Sequence, residues 1–193
     1  VMVGFNLRLL PSLAAVKDAI DGGRVGRVIA ARAEFGAWLP DWRPGRDHRD
    51  GYAVSLAQGG GILLDAIHEV DYLGWLLGDV TEVCCATRHS GVLGGDSEDV
   101  AELTLAFASG ALGQVHLDYL QRAYRRNLLV IGEAATLGWD YPTHTVTVHG
   151  DAGRSEATAV DDGDANRMYV EEMRRLLDAI RGHQDVGILF IAA

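Results

Sequence analysis

The sequence predicts an α+β fold: a mainly antiparallel open β-sheet with helices packed on one face. Three observations predict it. Two helical patterns occur before residue 78, a series of strand-like segments separated by turn signals runs from 82 to 150, and an amphipathic helix follows at 166–182. No internal repeat or linker interrupts this order.

In chain order, "VMVGF" at 1–5 reads as a β-strand. Pro11 suits the first turn of a helix, Leu13, Val16 and Ile20 make its apolar stripe, and "DGG" at 21–23 stops it. "VIAARAEF" at 28–35 is β-branched and aromatic enough for a strand. The segment 36–58, "GAWLPDWRPGRDHRDGYAVSLAQ", is too polar and proline-broken for either regular element. Loops of that length are functional or disordered, and its two tryptophans argue against disorder. A helix is expected from about Gly61 to Leu77, ended by Gly78 and apolar nearly all round, hence buried on most faces.

The strands expected after it are "EVCCATRH", "DVAELTLAF", "ALGQVHLDYL", "NLLVIGEAATLGWD" and "HTVTVHG". "ASGA" at 108–111 marks a hairpin between Phe107 and Leu112. "DDGD" at 161–164 is an acidic surface loop, and "NRMYVEEMRRLLDAIRG" is a helix stopped by Gly182. Val100, Leu103, Leu105 and Val115 look more apolar than one layer of helices needs, so one sheet face is expected to meet another subunit.

Composition narrows the function. At 193 residues and 48% apolar, the chain can bury the core of one large domain or of a piece of a longer protein. A formal charge of −10 without a Lys/Arg block argues against nucleic acid and against an anionic membrane surface. The apolar runs fall short of the ~20 residues of a membrane span. "VMVGFNLRLL" has neither a charged leader nor a cleavage site, so a cytoplasmic location is expected. Cys84 and Cys85 are adjacent and point to opposite faces of a strand, which suits neither a disulfide nor a zinc knuckle. The chain opens mid-pattern and closes on the bare apolar run "VGILFIAA", which reads as a fragment.

The chemistry concentrates in "GGGILLDAIHEVD", residues 59–71. On a helix Asp65, His68 and Tyr72 share one stripe, Asp71 sits beside His68, and Glu69 lies well round. These residues could be a satisfied buried pair. Two features favour a working site: the glycine run, which admits close approach and points amides at an anion or hydroxyl, and the preceding loop with Trp38, Trp42, Arg43, Arg46 and Arg49. A metal held by Asp65, His68 and Asp71 is the weaker chemical reading, since no second histidine stands at i+4 and no fourth ligand suggests itself. "GGRVGR" at 22–27 and "GGGILLD" at 59–65 lack the βαβ setting of a dinucleotide loop.

Taken in order, "VMVGFNLR", "GGRVGRVIAARAEFG", "GGGILLDAIHEVDYLGWLLGDV" and "VIGEAATLGWD" resemble the exit from the nucleotide domain, the first passage, the signature helix and a late sheet strand of one family. It is the glucose–fructose oxidoreductase, inositol dehydrogenase and rhizopine-catabolism (Gfo/Idh/MocA) oxidoreductases, and the likeness covers roughly residues 1–182 of its substrate domain. The resemblance implies that residues 1–8 end a Rossmann domain and 9–193 form the substrate-binding and oligomerisation domain. It also implies hydride transfer between NAD or NADP and a sugar, inositol or related polyol; a homo-oligomer, dimer or tetramer, is expected through the open sheet face.

The family's signature histidine falls on His68 and its acid on Asp65. Its commonest spacing sets the acid four residues before the histidine, where Leu64 stands here. His68 is the implied acid–base group, with Asp65 fixing its tautomer or binding a neighbouring hydroxyl. Asn6 and Arg8 would line the cofactor side, and Trp42, Arg43, Arg46 and Tyr72 the substrate side. Three arginines and two tryptophans in the loop point to an acidic, phosphorylated or nucleotide-linked sugar; the alternative is that the arginines brace the loop against Asp41, Asp47 and Asp50. The family's Glu-Lys-Pro lysine and cofactor loop have no counterpart here, Lys17 being the only lysine and on an ordinary helix. The chain alone is therefore expected to be inactive. Two other classes stay open, a sugar- or nucleotide-binding regulator of the same fold and a purely oligomerising domain.

Overall fold

The computed structural model describes residues 3–160, 164 and 166–182. Its elements are α1 (Pro11–Asp21), β1 (Val28–Gly36), α2 (Ile62–Asp65), α3 (His68–Leu77), β2 (Val80–Arg88), β3 (Val100–Phe107), β4 (Leu112–Asp118), β5 (Arg125–Gly132), β6 (Thr136–Asp140), β7 (Thr145–His149), β8 (Ser155–Ala159) and α4 (Asn166–Ile180). The eight strands form one sheet in the order β2-β3-β4-β1-β5-β6-β7-β8. Every neighbouring pair is antiparallel except β1 with β4. The α+β reading holds.

Alternation decides which face is core. Ala101, Leu103, Leu105 and Phe107 of β3 are buried, as are Val115 and Leu117 of β4 and Leu128 and Val130 of β5. Against them pack Leu13 and Val16 of α1 and Tyr72, Leu73 and Leu76 of α3. This corrects one expectation: Leu103, Leu105 and Val115 serve the helix side, and only Val100 of the four belongs to the other face. That open face is polar, with Glu34, Glu102, Gln114 and His116 lining one shallow depression.

Other differences have local causes. The single helix expected at 61–77 is two, because Ala66 (φ −106°, ψ 31°) leaves the helical region without a glycine or proline to announce it. "NLLVIGEAATLGWD" is a hairpin, closed where the Gly132 amide donates to Ala135 O at 3.0 Å. Val3–Phe5 form no strand, since an extended segment becomes one only beside a ladder partner, and the chain tightens into a 3-10 turn at Asn6–Leu9. Strand β8, which no pattern announces, is exposed at all five residues. The closing run 186–193 and most of the acidic loop 161–164 lie outside the described residues.

The long loop after β1 is ordered by four 3-10 turns, Leu39–Asp41, His48–Asp50, Tyr52–Val54 and Leu56–Gln58. It is tied to the sheet where the amides of Ala37 and Leu39 donate to Asp118 O and Tyr119 O. Among the described residues no helix is long and apolar enough to cross a membrane.

Candidate functional site

The joint between α2 and α3 carries the two signature residues on either side of a bend. At this point the winding tightens, the Glu69 amide reaching back only three residues to Ala66 O at 3.4 Å, and regular bonding resumes with Asp71 N to Ile67 O at 3.0 Å. The glycines before it have an internal reason. A Cβ on Gly61 (φ +118°) would fall 2.2 Å from a Glu98 carboxyl oxygen, and one on Gly60 2.1 Å from Tyr52 O. Glu98 also accepts from the Leu63 amide at 3.2 Å. The expected anion place behind the glycine run is thus filled by the protein's own carboxylate.

Asp65 is not bonded to His68. Its two oxygens accept from Tyr52 OH at 2.7 Å and Tyr119 OH at 2.5 Å. Burial, then the bond to this carboxylate, raises both phenols above their usual range, so both stay donors. Trp42 packs edge-on to Tyr119 with ring centres 5.3 Å apart, and to Phe35 at 5.9 Å. The tautomer-fixing role expected of Asp65 is therefore not met by this geometry; the loop and the residue just after β4 hold the acid instead.

His68 opens α3 with its ring edge-on to Phe5 at 6.2 Å, and its Nδ1 is buried without a hydrogen-bond partner. Burial, then the positive charge of Arg126, pulls the imidazole down to about 4, so it is neutral near pH 7. Arg126 is itself buried. Its Nε donates to Glu69 at 2.8 Å, and its guanidinium lies 4.4 Å from the centre of the Phe35 ring. Glu69 is fully buried, and burial raises its carboxyl against the pull of Arg126.

A cleft of about 540 Å³ collects His68, Asp65, Arg126, Arg122, Tyr124 and Trp38 on its walls. A second cavity of about 380 Å³ lies within the loop, lined by Arg43, Arg46, Asp47 and Tyr52 among others. Trp42 and Asp65 belong to both. The arginines of the loop divide: Arg49 is bound to Asp47 at 2.6 Å, whereas Arg43 stands over the Tyr52 ring at 5.7 Å. The Arg122 guanidinium stands over the Trp38 ring, 3.5 Å from its centre.

Three of the expected site residues are placed elsewhere. Tyr72 is wholly buried against Trp139, ring centres 5.9 Å apart, and stands behind the wall of the cleft rather than on it. Arg8 gives its guanidinium to Asp71 in two bonds of 2.8 and 2.6 Å, one turn from His68. Asn6 beside it is buried. Among the described residues no His, Cys, Asp and Glu side chains gather as a metal-binding group.

The residues that sequence reasoning passed over are Tyr52, Tyr119, Arg122, Tyr124 and the Glu69–Arg126 pair. The pair had left a signal. Arg126 falls in phase with buried Leu128 and Val130 on its strand, and Glu69 with buried Tyr72, Leu73 and Leu76 on its helix. A charge on a buried stripe needs a partner.

A family model described as the GFO/IDH/MocA C-terminal domain matches residues 13–156. The chain is 30% identical to a 1,5-anhydro-D-fructose reductase from Ensifer adhaerens, over 95% of this chain and 55% of that protein. It is 29% identical to inositol 2-dehydrogenase 2 of Saccharopolyspora erythraea, over 81% of this chain and 44% of that one. An inositol dehydrogenase homolog from Azotobacter vinelandii, solved in complex with NAD+, shares the fold with a TM-score of 0.81 at 15% identity, over 98% of this chain and 57% of that one. The chain thus spans about half the length of the proteins it matches. Signature helix, sheet order and family match agree, and the chain belongs to the GFO/IDH/MocA family through that family's C-terminal domain.

Proposed function

We propose that this chain is the substrate wall of an NAD- or NADP-dependent oxidoreductase acting on a CH–OH carbon of a sugar, inositol or related polyol. The reductase and dehydrogenase relatives support the reaction class. The observation that carries the reading is a neutral, unpartnered His68 on the wall of a 540 Å³ cleft walled by aromatic rings. The residues described do not themselves fit a dinucleotide: Arg8 is committed to Asp71, Asn6 is buried, and no glycine-rich phosphate loop is present among them. A nicotinamide, held mainly by residues outside this chain, would supply the hydride acceptor.

This chain's own part is the proton. A neutral imidazole accepts the proton of the reacting hydroxyl as the C–H bond gives up its electron pair, and returns it in the reverse direction. Asp65, fixed by Tyr52 and Tyr119, offers its own oxygens, with the Tyr52 hydroxyl beside them, to a neighbouring substrate OH. Trp42, part-exposed and shared by both cavities, offers an apolar ring to a sugar.

One observation favours a second reading, a regulatory member of the same fold that binds a sugar or nucleotide without turnover: Asp65 is bonded to tyrosines and not to His68. The open cleft counts against a purely oligomerising domain. For partners we propose a second copy of the protein on the open sheet face, as a dimer or tetramer. For location we propose the cytoplasm, where thiols such as exposed, free Cys84 and Cys85 stay reduced.

The test is polyol-dependent reduction of NAD and NADP by the whole protein, against its His68→Ala variant. The variant is expected to lose ~10²-fold or more in kcat with its melting temperature retained. Normal activity per folded molecule with collapsed stability would make His68 structural. Polyol binding with no turnover in either protein would select the regulatory reading.

A further inference from the structure

Arg43 and Arg46 have no part in the chemistry proposed above, yet both line the loop cavity of about 380 Å³. Arg43, Pro44, Gly45 and Arg46 form one tight turn, closed where the Arg46 amide donates to Arg43 O at 3.1 Å. Proline presets the second position, and Gly45 takes the left-handed conformation (φ +83°) that the third position of a type II turn demands. Such a turn brings the Cα atoms of its ends within about 7 Å. The turn thus sets two positive charges close together in the lining of one cavity, and a solvated loop gains nothing from that repulsion.

The carboxylates nearby do not relieve it. Asp47 is turned to Arg49, which binds both its oxygens at 2.6 to 3.1 Å through Nη2 and Nε. Asp50 adds, after Asp47, to the field at the same Arg49. Asp65 is held by the phenols of Tyr52 and Tyr119. Among the described residues neither Arg43 nor Arg46 pairs with a carboxylate, Asp41 included; Arg43 stands instead 5.7 Å from the centre of the Tyr52 ring.

Tyr52 joins this cavity to the cleft of His68. Its hydroxyl donates to Asp65 at 2.7 Å, and Asp65 and Trp42 line both spaces. A ligand lying across Trp42 and Asp65 has one end in each.

We propose that the loop cavity is a phosphate subsite, in which Arg43 and Arg46 grip the phosphoryl group of a sugar or polyol phosphate whose reacting carbon lies at His68. This names the substrate class for the oxidoreductase reading and rests on it. Two guanidinium groups match a phosphate monoester, which carries about −1.5 to −2 charges at neutral pH, whereas a carboxylate is matched by one. The cavity is near the small end of ligand pockets, which run from about 300 to 1,000 Å³. That size suits a terminal phosphate and the carbon that carries it better than a nucleoside diphosphate.

Inorganic phosphate is the first probe, titrated calorimetrically into the whole protein with chloride holding the ionic strength constant. One site per subunit is expected. Arg43→Gln and Arg46→Gln should each weaken it about tenfold or more, the usual worth of a charge-assisted hydrogen bond. Their melting temperatures should hold, because both side chains are exposed. Arg154→Gln, which removes an exposed charge just before β8, should leave binding as it was. A folded parent that binds no phosphate, or arginine variants of the turn that bind it as well as the parent, overturns the proposal.

The second probe is a panel of hexoses, hexitols and inositols, each free and as its monophosphate, offered to the complete enzyme. The esters are expected to have the higher kcat/KM, and each variant of the turn should lower the ester-to-free ratio about tenfold or more. Phosphate bound by the two arginines without any preference for esters overturns the substrate assignment. Phosphate bound by them with no member of the panel turned over supports the anion site and overturns the oxidoreductase reading, which keeps the two failures apart.

Discussion

A histidine held neutral below its ordinary range leaves a mark on stability as well as on proton transfer. Unfolded, His68 binds a proton near pH 6.5; folded, only near about 4. Between those values the unfolded chain holds more protons, so stability falls as pH drops through that window and is fully present above it. Glu69 works in the opposite sense, its raised carboxyl favouring the folded state as pH falls. The His68 share is therefore read as a difference between proteins. From pH 7 to pH 4.5 the parent should lose about 2 kcal/mol of unfolding free energy relative to His68→Asn, measured by urea titration at both pH values. Parallel pH slopes in the two proteins would contradict a buried neutral ring.

The elements that carry the site lean on backbone contacts that small residues alone permit. Gly60 packs against the carbonyls of Tyr52 and Ala53, so Gly60→Ala must displace the turn that brings Tyr52 to Asp65. It should cost ~1–3 kcal/mol of stability, as overpacking does; a variant as stable as the parent would show a loop free to shift. The same loop carries Arg43 and Arg46, which make no ion pair in the described structure, unlike Arg49. If they bind an acidic or phosphorylated sugar, Arg43→Ala and Arg46→Ala should each weaken kcat/KM by about 1.5–3 kcal/mol for the anionic substrate only. An equal loss with neutral sugars would leave the loop a brace.

What could be read in advance follows the same logic of faces. Strands β1, β3, β4 and β7 and helix α1 were legible because one side of each meets apolar neighbours at a regular period; α4 was legible from its own period alone, since of its apolar residues only Met168 is buried. Strand β8 is wet on both sides and keeps no period, and the turn at 132–135 is built on Glu-Ala-Ala after its glycine, residues that announce no turn. At the site His68 and Asp65 stood out as polar groups on an apolar helix. The phenols that hold Asp65 arrive from positions 52 and 119, a meeting that no local spacing encodes.

At the scale of the whole molecule the open face of the sheet decides assembly. It is knit by His116 between Glu102 at 2.6 Å and Asp118 at 2.9 Å, and by Glu34 with Gln121 and Asn127. The bond to Asp118, then the one to Glu102, raises His116 to about 9, so its charge persists at neutral pH. A second copy meeting this face would meet a polar network and not the apolar patch first expected. The whole protein is expected to scatter light as a dimer or larger assembly, and a strict monomer would remove the sheet face from consideration. The order of the strands also sets a timetable for folding. Strands β2, β3 and β4 form one meander of neighbours in sequence and β5 to β8 another, while β1 joins them, pairing Ala30 with Leu112 on one edge and Ile131 on the other. The first of these eight strands to be made must therefore wait, unpaired, until β4 and β5 have left the ribosome, and the two halves become one sheet only when it slots between them. Distant pairings of that kind are slow to form, so the centre of this sheet, not its rim, is where a nascent chain is longest exposed to misassembly.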